Sequence, residues 1–435
     1  MAPSAVFPPT DLFAMAAEAN VRQDYYSTGL RSRFRLDANR AVAPVGVKYA
    51  NIGYEVDEAA FRRRAAARLA AGGLATTVPE GWPTRVEGPL VWSGDDFDGE
   101  EEDYVYHLTD QDRAEIADAL EYFKQQGLEG NEVSPANFPL PTLGTKLHAV
   151  CADIYEGRGF AIVRGLEPDA YAVEDLTVVY LGISSYVGER RGKQDQRGSM
   201  LMHVIKRDDA TQDSEDKPFH TDTVTDCLCL FTQNLAEKGG RSVISSAWTV
   251  YNELAATRPD LIHVLSAPDW PFDTFQRNPS YYTRPVLFHH NTKIIMSFSR
   301  RLLVGHEPKE TRTPGIPGLT EAQADAIDAV HFIARKHEFK PAMARGDLRF
   351  INNMGVLHRR EAFTNGGPDG AGAGAGAARH LVRVWLNNPS MCWQLPRPLR
   401  IAWARIFDDA EREEHWDIEP PRLNGKLLHV AGSCD

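Results

Sequence analysis

The chain has 435 residues, 43% of them hydrophobic and 25% charged, the make-up of a globular protein able to bury a sizeable core. Its formal net charge of -12 argues against a nucleic-acid or anionic-membrane partner, since either favours a basic face. No run nears the ~18 apolar residues of a membrane span, and the N-terminus lacks the charged-then-hydrophobic order of a secretion signal, so the expected location is cytoplasmic.

Residues 1–80 read as an N-terminal helical extension. Its arginines Arg31, Arg33, Arg35 and Arg40 suggest a solvated arm, and strong helix formers over 59–71 are stopped by Gly72-Gly73. A second helix follows Thr109, with Ile116, Ala119, Leu120 and Phe123 on one stripe and Gly127 ending it. A third spans 142–155 and stops at Gly157. The pattern then changes. Residues 159–165 read as a buried strand, and further short strands are predicted at 201–205, 228–233, 286–290, 293–298, 348–352 and 381–386. Few helices are expected among them. One covers 320–337, opened by Thr320-x-x-Gln323. Many short strands with Gly, Pro and Asp turns predict an α+β chain with a β-dominated core, a barrel or jelly roll, over residues 81–420. Helices should pack outside it, with a tail at 421–435.

Five cysteines (Cys151, Cys227, Cys229, Cys392, Cys434) are too scattered for a disulfide framework. Cys227-x-Cys229 sits in an apolar run with no second pair, so both read as buried core residues. Residues 366–378 are an alternating Gly/Ala run, either an inert insertion or a lid over a site.

Chemistry concentrates in two places. Lys217-Pro218-Phe219-His220-Thr221-Asp222 carries a His-x-Asp, and on a strand such residues share one face. Downstream, Gly346-Asp347 leads through Asn352-Asn353 to His358. One carboxylate and two imidazoles form a facial triad that holds Fe(II) and leaves one side open for substrate and oxygen. His289-His290 is a rival pair, but adjacent strand residues face opposite ways. His203, on an earlier strand, is a candidate pocket residue. Arg379 and Arg383 offer planar forks to carboxylates: one for the far carboxylate of 2-oxoglutarate, the other for an anionic group on the substrate. Ser242, in Gly239-Gly240-Arg241-Ser242, could add a hydroxyl to the cosubstrate.

These blocks, with Gly192-x-Gln194-Asp195-x-x-Gly198, Phe298-Ser299-Arg300-Arg301 and Arg379 through Leu386, resemble the TauD/TfdA family of Fe(II)/2-oxoglutarate-dependent dioxygenases, in its clavaminate-synthase-like, fungal-type group. The resemblance covers roughly residues 80–420. It implies a double-stranded β-helix, Fe(II) on His220, Asp222 and His358, and 2-oxoglutarate with O₂ as cosubstrates. It also implies that Arg379, helped by Ser242, pairs with the distal carboxylate of 2-oxoglutarate, and that Arg383 meets the substrate. The Gly/Ala run lengthens the usual interval between His358 and these arginines, which leaves their assignment open. The expected reaction is hydroxylation, desaturation or oxidative cyclisation of a small, carboxylate-bearing, amino-acid-like molecule, in secondary metabolism. Two other readings use the same residues: a zinc hydrolase on the triad, and a non-catalytic jelly-roll binding protein. The oligomeric state is open, a homo-oligomer included.

Overall fold

The computed structural model describes residues 26–34, 48–205, 215–275, 277–307, 310–365 and 378–428. Arg35, Arg40, the Gly/Ala run up to residue 377 and the tail beyond 428 lie outside them, and with them the question of a lid.

Helix α1 (Glu58–Ala71) starts at Asp57, whose carboxylate accepts from the Ala60 N–H at 2.9 Å, and ends at Gly72 with φ of 68°. In α2 (Asp110–Gln125), Thr109 and Asp112 cap each other's backbone, and Ile116, Ala119, Leu120 and Phe123 are buried. The third expected helix is α3 (Leu143–Tyr155). The structure adds α4 (Val173–Ser185), α5 (Ala247–Thr257), Pro259–Leu265 and α7 (Arg400–Phe407) to the expected α6 (Glu321–Lys336). The expectation of few helices after residue 159 is therefore corrected. Helix α4 buries every residue from Leu176 to Ser185, so no polar face exists for periodicity to detect.

The strands that matter are β1 (Val105–His107), β2 (Phe160–Arg164), β3 (Arg190–Gly192), β4 (Met202–Ile205), β5 (Cys227–Asn234), β6 (Ser242–Ser246), β7 (Leu348–Asn352), β8 (Val356–Arg360) and β9 (His380–Asn387). The main sheet runs β1-β2-β7-β5-β9-β3, with β4 also on β9; only the β1–β2 pair is parallel. Strands β6 and β8 pair antiparallel as a separate small sheet. From β5 to β9 the chain alternates main, small, main, small, main, which is the winding of a double-stranded β-helix. Its helices make the whole α+β.

Strand alternation splits the core in two. Ile162, Leu228, Leu230, Ile351, Leu381 and Trp385 face the small sheet and pack with Val243, Ile244 and Leu357. Val163, Cys229, Phe231, Leu348, Phe350 and Val384 face α2, α3 and α4. Cys227 and Cys229 belong to this outer core, and burial pushes both thiols up. Helix α1 is tied to α6 by Arg64–Asp328 at 2.7 Å and Arg68–Asp325 at 3.0 Å.

Asp347 clamps the start of β7. It takes Arg164 of β2 through both oxygens, at 2.8 and 2.9 Å, and the Ala344 N–H at 2.7 Å. Asp347→Ala would leave the Arg164 guanidinium without that clamp in the sheet. The expected loss is about 3 kcal/mol, the low end for removing one member of a buried pair because Arg164 keeps some exposure. The midpoint of urea unfolding is the measurement.

Candidate active site

His220 and Asp222 do not lie on a strand, which corrects the premise that a shared strand face aligns them. His220 makes a single-residue bridge to His358 on β8, with reciprocal backbone hydrogen bonds of 3.0 and 2.9 Å. This bridge brings the two imidazoles to a centroid separation of 4.4 Å. Asp222 follows in a loop pinned at both ends of its peptide. Its N–H donates to Asn353 Oδ1 at 2.8 Å, and Asn353 Nδ2 donates to its carbonyl at 3.1 Å. Thr221 is fastened by its N–H to Phe298 O at 2.8 Å. The reach of Asn353 escaped sequence reasoning. The Asn352-Asn353 pair was visible, but only as a turn.

The ligating atoms of His220, Asp222 and His358 lie within 4.8 Å of one another, all buried. The His220 ring nitrogen Nδ1 lies 2.9 Å from Pro218 O, to which it donates. That contact fixes the tautomer in which Nε2 carries a lone pair. His358 Nε2 is 3.5 Å from Asp222 Oδ1. That carboxylate oxygen has no hydrogen bond of its own although it is buried. An unsatisfied anionic oxygen, facing two imidazoles in a buried pocket, fits a divalent cation and fits little else. The donor set, one carboxylate and two imidazole nitrogens, suits Fe(II).

The other oxygen, Oδ2, is heavily engaged. Trp385 Nε1 donates to it at 2.6 Å, and Arg383 Nη1 lies 3.0 Å away. Arg383 Nε donates to Gln194 Oε1 at 2.8 Å. Burial by itself would raise the Asp222 carboxyl, but Arg383 and the two histidines hold it well below the usual range. Burial, then His358, pushes His220 down to about 3, so it is neutral and ready to ligate at any physiological pH.

Arg379 lies just before β9, across a register shift between His380 and Leu381. Its Nε donates at 2.9 Å to the carbonyl of Gly240, two residues before Ser242 on β6, and its guanidinium stacks on Phe363 at 5.4 Å. Gly240 is required here. Its φ is 70°, and a Cβ would meet Arg379 Cδ at 2.8 Å. Arg379 and Ser242 are both buried. His203 is elsewhere. It pairs with Val382, which faces the outer core, and its ring bonds His380 Nε2 and Asp417 O, each at 2.8 Å. The rival His289 lies on the Leu287–His290 hairpin strand, with Nδ1 3.1 Å from Gly81 O. A cavity opens beside Trp385 and Thr223, lined also by Gln194, Arg277, Tyr282 and Arg405. Arg405 comes from α7, a helix absent from the sequence expectation.

The same buried imidazoles set a pH dependence. Burial and neighbouring cations push His331 and His380, like His220, down to about 3. The unfolded chain binds these protons near the ordinary value of 6.5, so it holds more of them than the fold between the two values. Stability is therefore full above about 6.5 and lost as pH falls toward 3. Asp226, pushed up to about 7 by burial, titrates the other way and offsets one of the three. The melting temperature of metal-free protein should fall between pH 7 and pH 5.

Residues 116–385 match the family described as "Taurine catabolism dioxygenase TauD, TfdA family". A taurine hydroxylase-like protein, SAT17, of Stachybotrys chartarum is 33% identical over 352 residues, spanning 77% of this chain and 89% of its own. The FR-33289 synthase of Streptomyces rubellomurinus is 26% identical over 319 residues, 69% and 90% of the two chains. Among solved structures, the non-heme iron oxygenase OrfP in complex with Fe has a TM-score of 0.47 and 17% identity, over 67% of this chain and 97% of that one. No helix among the described residues is long and apolar enough to cross a membrane. The chain belongs to the TauD/TfdA family of Fe(II)/2-oxoglutarate-dependent dioxygenases.

Proposed function

We propose that this dioxygenase oxidises an unactivated C–H bond of a small, carboxylate-bearing, amino-acid-like substrate in secondary metabolism, by hydroxylation, desaturation or oxidative cyclisation. The observation that carries the proposal is the buried triad of His220, Asp222 and His358, with one carboxylate oxygen left without a hydrogen bond. Fe(II) held there, with 2-oxoglutarate and O₂, would supply the oxidising power, and 2-oxoglutarate would leave as succinate and CO₂.

The remaining work falls to the protein. Arg379, set by Gly240 and beside Phe363, takes the distal carboxylate of 2-oxoglutarate, with the Ser242 hydroxyl as a second donor. Its charge-assisted bonds fix the cosubstrate's orientation. The small cavity beside Trp385, about 20 Å³ and so room for a water rather than a whole substrate, marks the side from which one end of the substrate approaches. Its wall carries Arg277 and Arg405 against one carboxylate, Asp273, whose oxygens accept from the Phe275 and Thr313 N–H groups and the Thr313 hydroxyl, so the balance favours an acid group, while Gln194 and Tyr282 supply neutral polar contacts. The apolar inner core around Leu228, Leu230 and Leu381 excludes water from the reacting bond.

The test is anaerobic. Wild-type protein given Fe(II) and then 2-oxoglutarate should develop the weak visible charge-transfer absorption of a chelated keto acid. Admitting air with a panel of amino acids and taurine should release succinate faster with the true substrate class. A protein that binds Zn(II) and hydrolyses esters or amides, with no such absorption, would refute the reading.

A further inference from the structure

We propose that Trp385 and Arg383 are positioning residues that sort the two oxygens of Asp222, so that this carboxylate presents Oδ1 alone to the metal. The inference rests on the triad reading above and concerns how that triad is kept open.

The two residues are two apart on β9, so both side chains project from its inner face. Both reach the same atom, Oδ2, at 2.6 Å from the indole N–H and 3.0 Å from the guanidinium. Oδ1 has no hydrogen bond and lies 3.5 Å from His358 Nε2. The asymmetry has a physical cost to undo. The Asp222 backbone is clamped on both sides by Asn353, so the carboxylate can only turn about its side-chain bonds. Turning Oδ2 toward a metal would break a bond to a buried indole and one to a buried guanidinium together. The guanidinium is held in turn. Gln194 accepts from Arg383 Nε at 2.8 Å, and its own amide donates to Arg383 O and Met200 O, each at 2.9 Å.

The consequence is one of counting. A carboxylate that binds through one oxygen leaves three positions, enough for a keto acid that occupies two and for dioxygen. A carboxylate that chelates takes one of those three. Arg383 therefore serves the ligand set, and the acid group of the substrate is left to the cavity arginines. An arginine that served only to anchor substrate would matter only when substrate is present.

The experiment needs no substrate. Full-length wild type, Trp385→Phe and Arg383→Met are titrated anaerobically with Co(II) and Fe(II), then with 2-oxoglutarate, following visible absorption. Trp385→Phe, which keeps the ring and loses the N–H, should bind metal within about threefold of wild type. Its spectrum should shift, and its 2-oxoglutarate affinity should fall by about tenfold, or about 1.4 kcal/mol, as Oδ2 competes with the keto acid. Arg383→Met should show the same split, and Arg383→Lys should restore part of it. Should Arg383→Met not fold, Gln194→Leu, which frees the guanidinium, takes its place. Unchanged spectra and affinities in these variants would overturn the proposal and return Arg383 to substrate binding. Parallel loss of metal and cosubstrate would overturn it too, by marking general support of the site. Wild type that binds no metal would sink the triad itself, a distinct outcome.

Discussion

Replacing Asp222 by alanine should abolish turnover and one-equivalent binding of Fe(II) or Co(II). The variant removes the only negative charge of the ligand set, so metal binding should be lost outright, where Trp385→Phe is expected to leave it nearly unchanged. It also strips the acceptor from the Trp385 N–H and from one nitrogen of Arg383, both buried. Alanine should therefore destabilise the apoprotein as well, by about 3 kcal/mol or more. Asp222→Asn separates the two effects. The amide can still accept from Trp385, so the fold should survive while the charge on the metal site is gone. Equilibrium metal binding and a thermal melt of the same samples make the comparison. An Asp222→Ala variant with wild-type metal affinity would rule out the triad.

Arg379→Met should weaken 2-oxoglutarate by about ten- to a hundredfold while leaving metal binding intact. A charge-assisted hydrogen bond contributes about 1.5–3 kcal/mol, and each 1.4 kcal/mol is tenfold. Lysine should recover little, because a point charge does not reproduce the guanidinium fork. Gly240→Ala should mimic the defect without touching the charge, since Gly240 holds a positive φ that alanine resists and the added methyl group would displace the Arg379 side chain. The expected signature is a raised KM for 2-oxoglutarate with kcat little changed at saturation. An unaffected KM in both variants would assign the distal carboxylate to another residue.

The triad was legible because its parts announce themselves by residue type, and because a shared pocket does not constrain how far His358 lies from His220 in sequence. The mechanism of alignment was not legible. Sequence spacing suggested a strand under His220 and Asp222, whereas the structure uses one backbone bridge and the Asn353 clamp, contacts between segments more than a hundred positions apart. Trp385 was visible only as a residue of the 381–386 strand; that its N–H ends on Asp222 depends on how β9 meets the loop. His203 was misleading for the opposite reason. Its strand was expected correctly, but the face it occupies is set by its pairing with Val382. Short strands and turns pointed to a barrel or jelly roll and the family resemblance to its double-stranded winding, while α4 and α7 escaped because burial removes the polar stripe from one and brevity blurs the other.

The bridge between His220 and His358 has a consequence for iron supply. Two of the three proposed ligands are joined by peptide groups, so their separation is established when the chain folds and asks nothing of an incoming ion. Loading should then be fast, with iron restored to stripped enzyme in one step and no refolding lag. Protein made while iron is scarce would wait, assembled, for the ion to return.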